Sequence, residues 1–268
     1  MWTNVKTEGI IIADKPWREA DRLYSILTKD FGKLEVLGRG AAKIKAKLSP
    51  HLEPFSLLKL ELIKGRAGWS IIGVEKLAAY PNLRQELSKR ILALTLAGVI
   101  DQVTRTESGE PELYEIWREW LGFLNRTSVG GPTRQTFILG GFLMKLLTTL
   151  GYSIELTRCL SCQASLHPLA IRWHEGRGGL ICTSCLLTNA NAVQGSKPLE
   201  AEIYSLLLLS QKSTYTDWLK PSLEAKHVTD FTLCVHDLWR YHVPGYLNQE
   251  YWQGILGTVD LSPSSAVM

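Results

Sequence analysis

Phe55-Ser56-Leu57-Leu58-Lys59-Leu60-Glu61-Leu62-Ile63 alternates apolar and charged residues over most of its length. Successive side chains of a strand point to opposite faces, so Leu58, Leu60 and Leu62 share one face and Lys59 and Glu61 the other. The run reads as a half-buried strand. Outward from it, residues 7–13, 21–28, 33–37 and 69–74 are short runs of the same kind, rich in Ile, Leu, Val and aromatics. Lys15-Pro16, Asp30-Phe31-Gly32-Lys33, Gly38-Arg39-Gly40 and Gly65-Arg66-Ala67-Gly68 separate them as turns. Five strands in about 75 residues fit a small closed barrel, with the five-stranded Greek-key OB-fold as the leading form. Strand count alone also admits an SH3-like barrel.

After Tyr80-Pro81 the period changes. Leu83, Leu87, Ile91 and Leu94 step by 4, 4 and 3, which predicts a helix with that stripe inward. Leu113, Trp117, Trp120, Leu121 and Leu124 mark a second helix that opens near Pro111. A third runs from Pro132 to Gly151 and is apolar nearly all round, which suits a central position. Its Gly140-Gly141 pair costs helix propensity of roughly 1 kcal/mol per glycine, so another element is expected to pack closely there. Residues 199–210 and 227–242 are further helices; residues 188–197 read as a loop. The expected class is α+β: an N-terminal OB barrel over residues 1–80, then a helical domain over 81–257 with an embedded zinc ribbon near 155–188. Residues 258–268 read as a frayed tail.

The 268 residues are 45% hydrophobic and 21% charged, enough apolar material for a real core and a poor match to a disordered chain. No apolar run approaches the roughly 18 residues needed to span a bilayer. Glu8 precedes a short apolar run with no cleavage site after it, so a signal peptide is not expected and the cytoplasm is the default location.

Four of the five cysteines form two close pairs. Cys159-Leu160-Ser161-Cys162 and Cys182-Thr183-Ser184-Cys185 are separated by 19 residues, which matches a structural zinc site. A tight turn lets both thiolates of one pair reach an ion at about 2.3 Å, and two such knuckles complete a tetrahedron. Four thiolates leave no open position for water, so the expected zinc is one structural ion. Redox C-x-x-C pairs and a site without metal are the competing readings. Ala170-Ile171-Arg172-Trp173 and Gly179-Leu180-Ile181 form a hairpin between the knuckles, and Cys234 is expected to be a buried structural thiol.

The net charge of +4 is unevenly placed. Residues 1–80 hold 14 Lys+Arg against 9 Asp+Glu; the remainder is slightly acidic. Arg39, Lys43, Lys45 and Lys47 fall in a stretch free of acidic residues between Glu35 and Glu53. Such a stretch suits a phosphate backbone; a solvated lysine loop is the plain alternative. No phosphate-cradling loop, H-E-x-x-H or G-x-S-x-G occurs, and Ser56-Leu57-Leu58-Lys59 matches S-x-x-K only by chance within a strand. No positive case for catalysis emerges, and the chain is expected not to be an enzyme.

The runs Thr7-Glu8-Gly9-Ile10-Ile11, Asp21-Arg22-Leu23, Gly32-Lys33-Leu34-Glu35-Val36-Leu37-Gly38-Arg39-Gly40-Ala41 and Leu52-Glu53-Pro54-Phe55-Ser56-Leu57-Leu58, then Gly109-Glu110-Pro111, Leu150-Gly151-Tyr152 and the two knuckles, fall in the order shown by the RecO family of bacterial recombination mediators. The chain resembles that family over about residues 5–240. It departs at Lys15–Ala20, where the family often has an aromatic-Gly-Glu turn. The resemblance implies an OB-fold, a helical domain and a zinc ribbon. It also implies a non-enzymatic role in DNA repair: binding single- and double-stranded DNA, annealing complementary strands, and working with RecR, often with RecF, to load RecA onto DNA coated by single-stranded DNA-binding protein. The acidic C-terminal tail of that coat protein is an implied contact.

On an OB barrel, cations track the backbone and aromatics stack under bases. The phosphate track is expected at Arg39, Lys43, Lys45 and Lys47, with Arg18, Arg22, Lys64 and Arg66 as secondary contacts. Trp17 and Trp69 could stack on bases or pack the barrel. Arg134 and Lys145 are candidates for the coat-protein tail. Two rivals come from other classes: a zinc-ribbon adaptor that binds protein without touching DNA, and a zinc-dependent hydrolase or deaminase, which needs an open coordination site.

Overall fold

In a computed structural model of the chain, the structure describes residues 3–42, 51–109, 111–152, 154–166, 171–188, 194–245 and 252. The chain divides into two compact units, residues 1–128 and 129–268.

The first unit opens with five strands: β1 (Thr3–Arg18), β2 (Asp21–Thr28), β3 (Gly32–Gly38), β4 (Leu57–Gly65) and β5 (Gly68–Ala78). They close a barrel in the order β1-β2-β3-β5-β4, with β4 pairing back onto β1. The β3–β5 contact is parallel and short, through Val36 and Leu37 against Trp69 and Ser70; all other pairings are antiparallel. This is the Greek-key order of an OB-fold. Leu58, Leu60 and Leu62 are wholly buried with Ile26, Leu34 and Val36, and Lys59 is exposed, as the alternation requires.

β1 is longer than the sequence reading. Lys15-Pro16 lies inside it, and the hairpin turn falls at Glu19-Ala20. β1 pairs with β4 only through Ile10, so Pro16 sits where the strand is paired on one side and a missing N–H is tolerated. The result is a β1–β2 arm, backed over Arg22–Tyr24 by Val36–Gly38 of β3, that carries Trp17 and Arg18 at its tip.

Three helices complete the unit: α1 (Pro81–Gln85), α2 (Leu87–Val103) and α3 (Pro111–Arg126). The strands end where the sequence changes period, but the compact unit runs on to Ser128 because these helices bind the barrel. Buried Lys33 donates to the Asp101 carbonyl, Tyr114 Oη–H to Glu8, and Arg84 pairs with Glu53. The α3 stripe is buried as expected. The α2 stripe is not: Leu87, Ile91 and Leu94 are 64, 53 and 49% exposed. Leu92, Ala93, Leu96, Val99 and Ile100 face inward instead. Glu86 is extended and divides α1 from α2, so a period counted from Leu83 across it has lost its phase.

The second unit contains α4 (Pro132–Thr149), β6 (Ile171–His174), β7 (Gly179–Cys182), α5 (Thr183–Thr188), β8 (Ser196–Pro198), α6 (Ala201–Lys212) and α7 (Ala225–His242). Within α4, a Cβ on Gly140 would stand 2.7 Å from the Phe231 ring of α7, and one on Gly141 3.1 Å from Trp218. Close packing is thus why both glycines are there. Gly140→Ala gains up to about 1 kcal/mol in helix propensity and costs about 1–3 kcal/mol in overpacking. Net destabilisation is expected, measurable as a lower denaturation midpoint; a midpoint at or above wild type contradicts the close approach.

β6 and β7 are the expected hairpin. The loop predicted over 188–197 runs into a third strand, β8, which joins on the β6 side. Three residues reading Ser-Lys-Pro carry no strand signal of their own. The ribbon is fastened to α7 by Trp173, whose buried indole N–H donates to Asp237 at 2.8 Å. No helix among the described residues is long and apolar enough to cross a membrane.

Candidate nucleic-acid interface and candidate metal centre

A groove of about 580 Å³ lies on the outer β2–β3 face of the barrel. Leu23 and Leu37, paired in register, form its floor. Trp17 and Arg18 reach it from the tip of the β1–β2 arm, Arg39 from the end of β3, and Ala67 and Gly68 from the β4–β5 turn. These are the elements with which OB-folds take up oligonucleotides.

The candidate residues divide sharply. Trp17 is 52% exposed, whereas Trp69 is 8% exposed, packs in the barrel core beside Phe31 and donates its indole N–H to Glu107 at 2.9 Å. Arg18, Arg39 and Arg66 are exposed and form no ion pair among the described residues. Arg22 is engaged by Asp14, and Lys64 by Glu107 at 2.7 Å. Lys43, Lys45 and Lys47 lie outside the described residues.

Three carboxylates also line the groove, and each has a polar or charged partner. Glu35 lies 3.8 Å from Lys15, Asp21 accepts the Gly40 N–H at 2.7 Å, and Glu107 is held by Lys64 and Trp69. The Asp21 contact pins the chain directly after β3 and so fixes Arg39 at the rim. Glu107 is the member sequence reasoning missed. It arrives from the α2–α3 loop, and no local pattern marks it as a neighbour of the barrel.

In the second unit, Arg134 is committed to structure. Its guanidinium donates to the carbonyls of Trp218 and Pro221, both at 2.7 Å, and holds that segment to α4. The Lys145 ammonium stands 5.4 Å from the Tyr215 ring centre.

The four paired cysteines converge, and their sulfurs all lie within 4.8 Å of one another. Cys159 and Cys185 are 3.8 Å apart, Cys162 and Cys182 3.6 Å. A disulfide needs about 2.05 Å; a tetrahedron with metal–sulfur bonds of about 2.3 Å has edges near 3.8 Å. The quartet therefore has the dimensions of a four-thiolate metal site. The fold builds it by clasping the knuckles. Leu160 N–H donates to the Leu180 carbonyl at 2.8 Å, and a Cβ on Gly179 would collide with Leu160 at 2.7 Å. Gln163, in the left-handed region at φ 61°, closes the first knuckle.

The charge state of the quartet is set locally. Burial pushes the Cys159 thiol up, but backbone N–H groups of Cys182, Cys162 and Ser161 favour its thiolate and bring it to about 6. Cys185 is pushed up to about 12, chiefly by its hydrogen bond to Cys162. Four thiols packed this closely cannot all ionise without a cation among them. Buried Cys234, by contrast, is held protonated by burial and stands apart from the quartet.

A five-stranded OB-like barrel followed along the chain by a helical unit carrying a four-cysteine cluster defines the architectural class. Family comparison assigns it more closely. The profile for Recombination protein O N terminal matches residues 1–77, and that for Recombination protein O C terminal matches residues 84–247. Similar proteins include the DNA repair protein RecO of Dehalococcoides mccartyi strain BAV1, 24% identical over 96% of this chain and 97% of the relative. That of Geobacter sulfurreducens is 29% identical over 76% of this chain and 79% of its own length. That of Syntrophus aciditrophicus is 30% identical over 69% and 71%. The chain belongs to the RecO family of DNA repair proteins.

Proposed function

We propose that this chain is a non-enzymatic recombination mediator of the bacterial cytoplasm. It binds single- and double-stranded DNA without sequence preference, anneals complementary strands and, with RecR and RecF, helps load RecA onto DNA coated by single-stranded DNA-binding protein. The observation that carries this reading is the groove itself: an exposed tryptophan and guanidinium groups with no ion pair among the described residues rim a leucine floor on the β2–β3 face. Cations capture phosphates, which carry no base identity, and an exposed ring stacks on any base. Lys15 and Lys64 balance Glu35 and Glu107, and Arg18, Arg39 and the neighbouring Arg66 outnumber Asp21, which leaves the rim in positive excess. Lys43, Lys45 and Lys47 extend it in the sequence. Annealing follows physically, because a cationic rim screens repulsion between two strands while their base edges stay available.

A zinc ion at Cys159, Cys162, Cys182 and Cys185 is structural on this reading, supported by sulfur spacings near the tetrahedral edge. It locks the ribbon, and the ribbon packs on α7 through Trp173. Because Arg134 already holds carbonyls of its own chain, Lys145 is the better-placed of the two candidate cations for the acidic coat-protein tail.

The test is a salt titration with a labelled single strand, with and without the coat protein. About four phosphate contacts give a slope of log affinity against log salt near −3. Salt-insensitive or absent binding would favour an adaptor that contacts protein alone.

A further inference from the structure

The loop between α2 and α3 returns to the barrel. Thr106 bridges Lys33 of β3, and the Glu107 N–H donates to the Lys33 carbonyl at 2.8 Å. Glu107 takes φ 62°, a left-handed conformation uncommon for a residue with a Cβ. Such backbone persists where the surroundings over-determine it, and it concentrates at binding sites and switches. Here it delivers a carboxylate into the groove. The two Glu107 oxygens accept from Lys64 Nζ at 2.8 and 2.7 Å, and one also accepts the Trp69 indole N–H at 2.9 Å. Lys64 stands 5.1 Å from the centre of the same indole.

A carboxylate presents two oxygens sharing one negative charge, as do the non-bridging oxygens of a phosphodiester. An ammonium and an indole N–H converging on the first can receive the second. We propose that Lys64 and the Trp69 indole N–H form a phosphate subsite at the β4–β5 end of the groove, which Glu107 fills until a nucleic-acid strand displaces it. The proposal rests on the groove reading above and reverses the expected part of Trp69: its edge, rather than its face, meets the strand.

Displacement is feasible because the pair is open to water. The Lys64 and Glu107 side chains are 44 and 46% exposed, where ion pairs are weak, and movement of the loop relieves its left-handed residue. A carboxylate that stayed would face the phosphate with like charge. The internal anion therefore lowers affinity for any polyanion and sets a threshold that a run of phosphates, held at several points, overcomes best.

The experiment uses the full chain and a labelled oligothymidylate over a range of salt. Glu107→Gln removes the charge and leaves an oxygen for Trp69; Glu107→Gly removes the charge and relieves the backbone. Both are expected to bind about three- to tenfold tighter, with a salt slope steeper by about 0.7, one more single-strand phosphate contact. Adding Lys64→Ala to Glu107→Gln removes that gain. Unchanged or weaker binding by both Glu107 variants, while Arg39→Ala still weakens the wild type, overturns the gated subsite and leaves the groove reading standing. If Arg18→Ala and Arg39→Ala leave affinity unaltered, the groove reading fails and this inference with it.

Discussion

Cys159→Ser is expected to abolish stoichiometric metal binding and melt the ribbon of β6, β7 and β8, leaving the helices around Phe137 and Phe231 folded. Cys159 is wholly buried and joins the two knuckles: its sulfur accepts N–H groups from Ser161 and Cys182, each at 3.4 Å, and faces Cys185. Serine supplies a hard, protonated oxygen in place of a thiolate. Structural zinc contributes on the order of 10 kcal/mol to folding at neutral pH, and the small core around Cys159, Ile181 and Cys185 has little else to hold it. Metal content by mass spectrometry, hydrogen-exchange protection across residues 171–188 and the unfolding midpoint should fall together. A strong chelator should reproduce the loss with the wild-type chain, releasing one zinc per chain, and acid should do so too, since protonation of the thiolates expels the ion. A metal-free Cys159→Ser protein with native exchange protection and midpoint would remove the metal from the account of this fold.

The second large effect is expected at the groove. Trp17→Ala should weaken single-strand binding by about 1–3 kcal/mol, the usual worth of one stacked base, with the salt slope unchanged because no charge is lost. Arg18→Ala with Arg39→Ala should do the reverse in kind. The slope becomes shallower by about 1.4, two single-strand phosphate contacts, and the loss of affinity shrinks as salt rises. Lys43→Ala, Lys45→Ala and Lys47→Ala together should flatten the slope by about 2. These side chains are exposed or lie on the cationic stretch, so the unfolding midpoint should stay within error of wild type. A slope that does not respond to any of these cations would move the DNA contact off the barrel face.

The same contrast, between what a residue type suggests and what its neighbours permit, runs through the whole site. Arg22 and Lys64 are cations near the groove by sequence, but Asp14, 8 residues away, and Glu107, 43 residues away, already hold them. Arg134 is bonded to carbonyls 84 and 87 residues further on. Nothing local marks these partners, because an ion pair reports a meeting of two surfaces, not a spacing along one chain.

The amino-acid order alone determined the features that repeat at short range. Alternation at Leu58, Leu60 and Leu62 specified a barrel strand, two C-x-x-C pairs specified a four-cysteine cluster, and the stripe of α3 specified its buried face. Each depends on backbone geometry that neighbouring residues share. Tertiary structure decided the rest. It turned Leu87, Ile91 and Leu94 outward, because α2 is apolar around much of its circumference and only the barrel chooses which side is covered. It left Trp17 exposed and Trp69 packed, though both are aromatic residues beside a turn. It also brought Glu107 back to β3, since closing a barrel against a helical layer joins residues whose separation along the chain carries no signal.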